Sequence, residues 1–111
     1  MVYVIRTQAT QEQMGEMLQT LKTYVKLAVD LQKGILAGGG EMHADCEEVL
    51  LDEGSVQEDV WGADWDPFKQ QVTYESLINI RPRQNNRSME VQDPYVRKRI
   101  AEIVQDLLGG I

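Results

Sequence analysis

The alternation of hydrophobic and polar positions changes period several times along this chain, and each change predicts an element. Residues 2–6, rich in Val, Tyr and Ile, predict a short strand. Thr10 then offers a helix N-cap, with Gln13 three positions later to complete a capping box. Met14, Met17, Leu18 and Leu21 follow at helical spacing, so a helix is expected over residues 11–23 with its methionine-rich stripe in the core. Gly15 weakens that helix by up to about 1 kcal/mol relative to alanine. From Tyr24 the period shortens to two. Val25, Leu27, Val29 and Leu31 alternate with Lys26, Ala28, Asp30 and Gln32, predicting a strand with one face toward the core. Gln32–Lys33–Gly34 reads as a tight turn, and Ile35–Leu36–Ala37 as the returning strand of a hairpin.

Gly38, Gly39 and Gly40 predict a bulge or bend rather than a phosphate-binding loop, because Glu41 follows and the next Lys or Arg is Lys69. Asp45 as N-cap, with Glu48 three positions on, predicts a short helix through Val49–Leu50–Leu51 that stops at Gly54. Cys46, Val49 and Leu50 form its expected buried face. Val56 to Trp65 predicts a strand, or a strand with a bend at Gly62, and Pro67 ends it. Residues 72–80, with Val72, Tyr74, Ile78 and Ile80 on one face, predict a further strand, and residues 81–88 a polar, cation-rich loop. Asp93–Pro94 starts the last helix, whose stripe of Val96, Ile100, Ile103, Val104, Leu107 and Leu108 stops at Gly109–Gly110. Without repeats or linkers, this pattern predicts one α+β domain over residues 1–111. Its expected form is a small, mainly antiparallel sheet with about three helices packed on one face.

Composition narrows the function classes. A chain of 111 residues suits one domain. It has no apolar run near the roughly 18 residues that a membrane span requires. The start, Met1 to Arg6, lacks a basic lead-in and a long apolar core, so a cytoplasmic protein with no membrane partner is expected. The single cysteine, Cys46, excludes an intrachain disulfide and any CxxC metal or redox motif, and reads as a small core residue. No cofactor motif is present, so none is expected. Eleven Lys and Arg against 18 Asp and Glu leave a net charge of −7, which makes nucleic acid an unfavourable partner.

That charge is unevenly spread. Residues 41–66 hold ten acids and no Lys or Arg, whereas residues 81–99 hold six bases against Glu90 and Asp93. Opposite charges on one small body attract, so the arginine loop is expected to lie across the acidic segment, fixed by Arg–carboxylate pairs. The functional alternative makes Arg81, Asn86 and Arg87, with Arg83 and Asn85, a subsite for an anion or phosphate. A second candidate is Glu41–Met42–His43–Ala44–Asp45. In extended chain, Glu41, His43 and Asp45 share one side, with Asp64 or Asp66 as further oxygen donors. Metal ligation is the weaker use of these residues and no metal site is assigned. As a catalytic pair, His43 would act as general base and Asp45 would orient it. No serine or cysteine stands in a nucleophile motif.

Two stretches carry a family resemblance. One runs from His43–Ala44–Asp45 through Glu47–Glu48 and Leu50–Leu51 to Trp61–Gly62. The other is Asn79–Ile80–Arg81–Pro82, then Asn86–Arg87–Ser88 and Asp93–Pro94 with Arg97. Together they resemble a family of small prokaryotic proteins, many of them cyanobacterial, known only as a domain of unknown function. The resemblance covers nearly the whole chain and implies a self-contained domain, with no activity, ligand or catalytic residue to carry over. Three function classes fit the residues. The first is a small binding or regulatory module acting through a protein partner or through self-association, with Trp61 and Trp65 as anchors if exposed. The second is an enzyme or binder of a small anionic or phosphorylated molecule, with His43 and Asp45 facing Arg81, Asn86 and Arg87 across a cleft. The third is nucleic-acid association through the basic loop and Arg97–Lys98–Arg99.

Overall fold

A computed structural model describes all 111 residues. Five strands form one fully antiparallel sheet: β1 (Tyr3–Ile5), β2 (Val25–Asp30), β3 (Ile35–Gly38), β4 (Val60–Asp66) and β5 (Gln71–Thr73), in the spatial order β1-β3-β2-β4-β5. Three helices, α1 (Gln11–Met17), α2 (His43–Asp52) and α3 (Pro94–Leu108), complete an α+β domain.

Strand register explains how the helices divide. Val25 pairs with Trp65, Leu27 with Ala63 and Val29 with Trp61, so these side chains share one face. There they pack with Met14 and Met17 of α1 and with Ile100, Ile103, Val104, Leu107 and Leu108 of α3. The expectation of helices on one face alone is corrected here. The alternate positions of β2 are not solvent-facing: Ala28, with Ala37 and Val60, packs against Cys46 and Leu50 of α2 on the opposite face. Ala28 pairs with Gly62, where the missing side chain leaves room for Ser76 and Ile78 on the same face. Both tryptophans are buried, which removes them as exposed anchors.

Four boundaries differ from the sequence expectation. α1 stops at Met17 instead of reaching residue 23. The chain turns through residues 18–22, Lys22 takes a left-handed φ of 73°, and Thr20 donates a hydrogen bond to the Gly39 carbonyl. β2 ends at Asp30 because that buried carboxylate accepts hydrogen bonds from the Gln32 and Lys33 amides and from Ser55 Oγ, turning the hairpin. α2 starts three residues early, at His43, with Asp45 accepting from the Met42 amide. The strand expected over residues 72–80 survives only as β5. Past it, Ser76 caps a single helical turn at Leu77–Asn79 by accepting from the Ile78 amide.

Candidate functional site

His43 is the first helical residue of α2, and its placement there breaks the expected pairing with Asp45. Two positions apart on a helix, the side chains of His43 and Asp45 diverge, where on a strand they would align. Asp45 turns back onto the Met42 amide. His43 reaches across to β4 instead, where its Nε2 lies 2.7 Å from Asp64 Oδ1. Which of the two atoms donates depends on the imidazole's tautomer. Asp64 also receives a long 3.5 Å contact from Thr73 Oγ1 on β5. Glu41, His43 and Asp45 do not converge, and no group of three or more His, Cys, Asp or Glu side chains is arranged to hold a metal ion.

The His43–Asp64 pair lies at the wall of a cavity of about 450 Å³. Its lining is mixed: Met42, Ala44, Leu77, Ile78 and Met89 share it with Lys26, Thr73, Glu75 and Ser76. An adjoining cavity of about 580 Å³ shares Leu77 and Ile78 and adds Ile80. Leu77 is 63% exposed and Met42 51%, and Ile80 and Met89 are exposed as well, although the fold has a core to receive such side chains. These positions come from α2's start, the Leu77–Asn79 turn and the loop that returns to α3. They are far apart in sequence, and no spacing rule would have grouped them.

The proposed anion residues have other work. Arg81 is buried, and its guanidinium donates to the Ile78 and Gln57 carbonyls, to Gln84 Oε1 and to Glu47 Oε2 at 3.1 Å. It also lies over the Trp61 ring, 4.8 Å from its centre. Burial pulls the Arg81 guanidinium below its ordinary range, against the opposing pull of Glu47. It pushes Glu47 up despite Arg81. Asn86 is buried, donating to the Asn79, Ser88 and Glu90 carbonyls and accepting from the Gln92 amide. Arg87 is exposed and faces a separate open cavity of about 1010 Å³ beside Glu58, Asp59 and Asp93. No cavity is lined by His43 together with Arg81, Asn86 or Arg87, so the expected cleft between the two sets is not formed.

The arginine loop does meet the acidic segment, but through one buried pair, Arg81–Glu47, rather than a set of exposed ones. In the Arg97–Lys98–Arg99 patch, Arg97 stacks 4.4 Å from the Tyr74 ring centre and Arg99 Nε donates to the Leu31 carbonyl. Cys46 lies against the sheet, its thiol 3.5 Å from the Lys26 carbonyl. Burial pushes the thiol up to about 11 from 9.0. With no thiolate at neutral pH, it is not a nucleophile. Because the folded form holds this proton more tightly, stability is intact below pH 9.0 and falls as pH rises through 11. Urea titrations from pH 8 upward are expected to show a loss of about 3 kcal/mol from this thiol, absent in Cys46→Ala.

A family model described as "Protein of unknown function (DUF5674)" matches residues 3–107. No curated protein and no solved structure matches the chain significantly.

Proposed function

The chain belongs to the family of proteins of unknown function DUF5674, and from that premise we propose that it is a cytoplasmic protein-recognition module. Its docking surface is the depression around His43 and Asp64, with the exposed Met42, Leu77 and Met89 in its wall. The observation that carries this reading is the gathering of Met42, Leu77, Ile80 and Met89, all exposed, around two adjoining cavities. Contiguous exposed apolar residues of this kind mark interaction surfaces, and methionine adapts to an incoming side chain. Catalysis has less support. No hydroxyl or thiol is hydrogen-bonded to His43, and Arg81 and Asn86 are committed to holding their own loop. No helix is long and apolar enough to cross a membrane, so recognition of a protein surface fits better than insertion.

Leu77→Asp tests the reading, because an exposed side chain can change with little effect on stability, within about 0.5 kcal/mol. Immobilised protein is expected to retain a defined partner from lysate of its native cells, and Leu77→Asp to lose it while melting at the same temperature. Retention by both proteins, or by neither, overturns the reading.

A further inference from the structure

We infer that the cavity beside His43 binds a soft monovalent metal ion of the Cu(I) class, held by one imidazole and two thioethers. This site stands apart from the recognition reading and does not depend on it. His43 is the only histidine in the chain, and Met42 and Met89 line the same cavity. These two methionines are 51% and 38% exposed, whereas Met14 and Met17 are buried in the core and Met1 lies at a separate cavity. Thioether sulfur with imidazole nitrogen suits Cu(I), while carboxylate and carbonyl oxygens suit harder ions.

His43 is held as a metal-binding imidazole needs to be. Asp64 engages Nε2 at 2.7 Å, and Nδ1 makes no hydrogen bond within the protein and is not sealed from solvent. A metal on Nδ1 leaves the ring hydrogen on Nε2, where the Asp64 carboxylate accepts it. Carboxylates behind ligating histidines orient the ring in this way and raise its basicity. Asp64 is itself fixed in a cross-strand row, between Lys26 of β2 and Thr73 of β5. Met42 enters the cavity beside His43 at the start of α2. Met89 comes from another element, and its carbonyl accepts from the Ser76 amide and from Asn79 Nδ2, which pins its backbone to the cavity wall. Methionine's three rotatable bonds let sulfur from both elements adjust to a shared ion. Lys26 opposes a cation here, but its ammonium is turned to the Glu41 carbonyl and Glu75 lies in the same wall. No three His, Cys, Asp or Glu side chains converge, so Zn(II) or Mn(II) lacks a ligand set.

The test titrates Ag(I), a redox-stable soft ion standing in for Cu(I), into protein with isotope-labelled methionine methyl groups and follows them by NMR. The Met42 and Met89 signals are expected to shift together and saturate at one equivalent, with Met1, Met14 and Met17 unmoved. Competition with a chromophoric Cu(I) chelator should then show Asp64→Asn about tenfold weaker than the unaltered protein. Met42→Leu/Met89→Leu lacks two of the three donors and should bind Cu(I) more weakly still. Without metal it should melt at the unaltered temperature, because both side chains are exposed and leucine nearly conserves their volume. Cys46→Ala should bind as the unaltered protein does, since that thiol is buried and does not line the cavity.

An equal shift at Met1 would mean adventitious thioether binding and overturn the site, as would binding that is lost in Cys46→Ala or kept in Met42→Leu/Met89→Leu. Equal affinity of Asp64→Asn and the unaltered protein overturns ligation by His43. Displacement of Ag(I) by an equal concentration of Zn(II) overturns the soft character of the site. The capture experiment uses no added metal, so its outcome and this one fail separately.

Discussion

Arg81→Ala is expected to destabilise the fold by about 3–5 kcal/mol in equilibrium urea unfolding, the range for removing one member of a buried ion pair. The arginine's bonds to the Gln57 and Ile78 carbonyls tie the segment before β4 to the turn after β5, and its bond to Glu47 ties both to α2. The deletion leaves Glu47 half-buried without its cation. Burial already holds the Glu47 carboxyl above its ordinary range, and losing Arg81 removes the one influence that lowers it. A carboxyl raised in the folded state contributes its full stability at pH values below its unfolded pKa, and loses it as pH rises through the folded value. The Arg81→Ala deficit should therefore be smaller near pH 4 than at pH 7.

A second substitution separates the charge from the packing. Arg81→Ala/Glu47→Gln removes the stranded carboxylate and should recover part of the loss at pH 7, with the pH dependence flattened. Both partners of this pair are pushed toward neutrality by burial, so the attraction between them does not outweigh their desolvation. An apolar replacement of both, Arg81→Met/Glu47→Leu, is expected to cost far less than either single change. A deficit that is identical at both pH values and unchanged by Glu47→Gln would show that Arg81 matters only through the Trp61 ring and the backbone carbonyls.

Why the fold was legible and the site was not follows from the range over which each signal acts. The capping box at Thr10 and Gln13, the β2–β3 hairpin and the Asp93–Pro94 helix start are local, and each stands where the sequence places it. Period-two alternation in β2 marked Leu27 and Val29 correctly as core, but it also implied that Ala28 and Asp30 face water. They do not, because α2 crosses that face, and nothing local to β2 announces a helix that is more than a dozen residues away. The short residues Ala28 and Ala37 are the available signal, since small side chains suit a sheet face that a helix covers.

The site failed for a related reason. His43 and Asp45 share a side only if residues 41–45 are extended. Starting α2 three residues earlier redirects the imidazole to Asp64, a residue the sequence offered only as an additional oxygen donor. For Arg81 and Asn86 the sequence shows the residue types but not the partners the fold gives them. Arginine and asparagine that could hold a phosphate are equally suited to holding carbonyls, and a loop of irregular backbone has many carbonyls to satisfy. The stretches that carry the family resemblance accordingly include residues whose geometry is structural. Met42, Leu77 and Met89 carry no local signal, because singly exposed hydrophobic residues are ordinary and only the fold brings these together.

Asn79 lies within the same stretch, and its replacement should be as damaging as that of Arg81. Beyond the three residues where β5 pairs with it, β4 has an open edge at Gly62. Asn79 closes that edge with its side chain: Oδ1 accepts from the Gly62 amide at 2.7 Å and Nδ2 donates to the Gly62 carbonyl at 3.0 Å, as the backbone of a neighbouring strand would. Nδ2 also lies within bonding distance of the Tyr74 and Met89 carbonyls, which joins the sheet edge to the loop beneath the depression. Gly62 is required at this point, because a Cβ there would stand 2.5 Å from Ser76 Cβ. Asn79→Ala leaves these buried groups without partners and is expected to cost at least about 3 kcal/mol, with accelerated exchange of the Gly62 amide hydrogen. Asn79→Asp, nearly identical in shape, should be no better at pH 7. It keeps the acceptor for Gly62 but turns a carboxylate toward three carbonyl oxygens, and only when protonated can it donate to one of them. Partial recovery of Asn79→Asp relative to Asn79→Ala as pH falls would show that it is the donated hydrogen bonds, rather than the space filled, that hold the loop to β4.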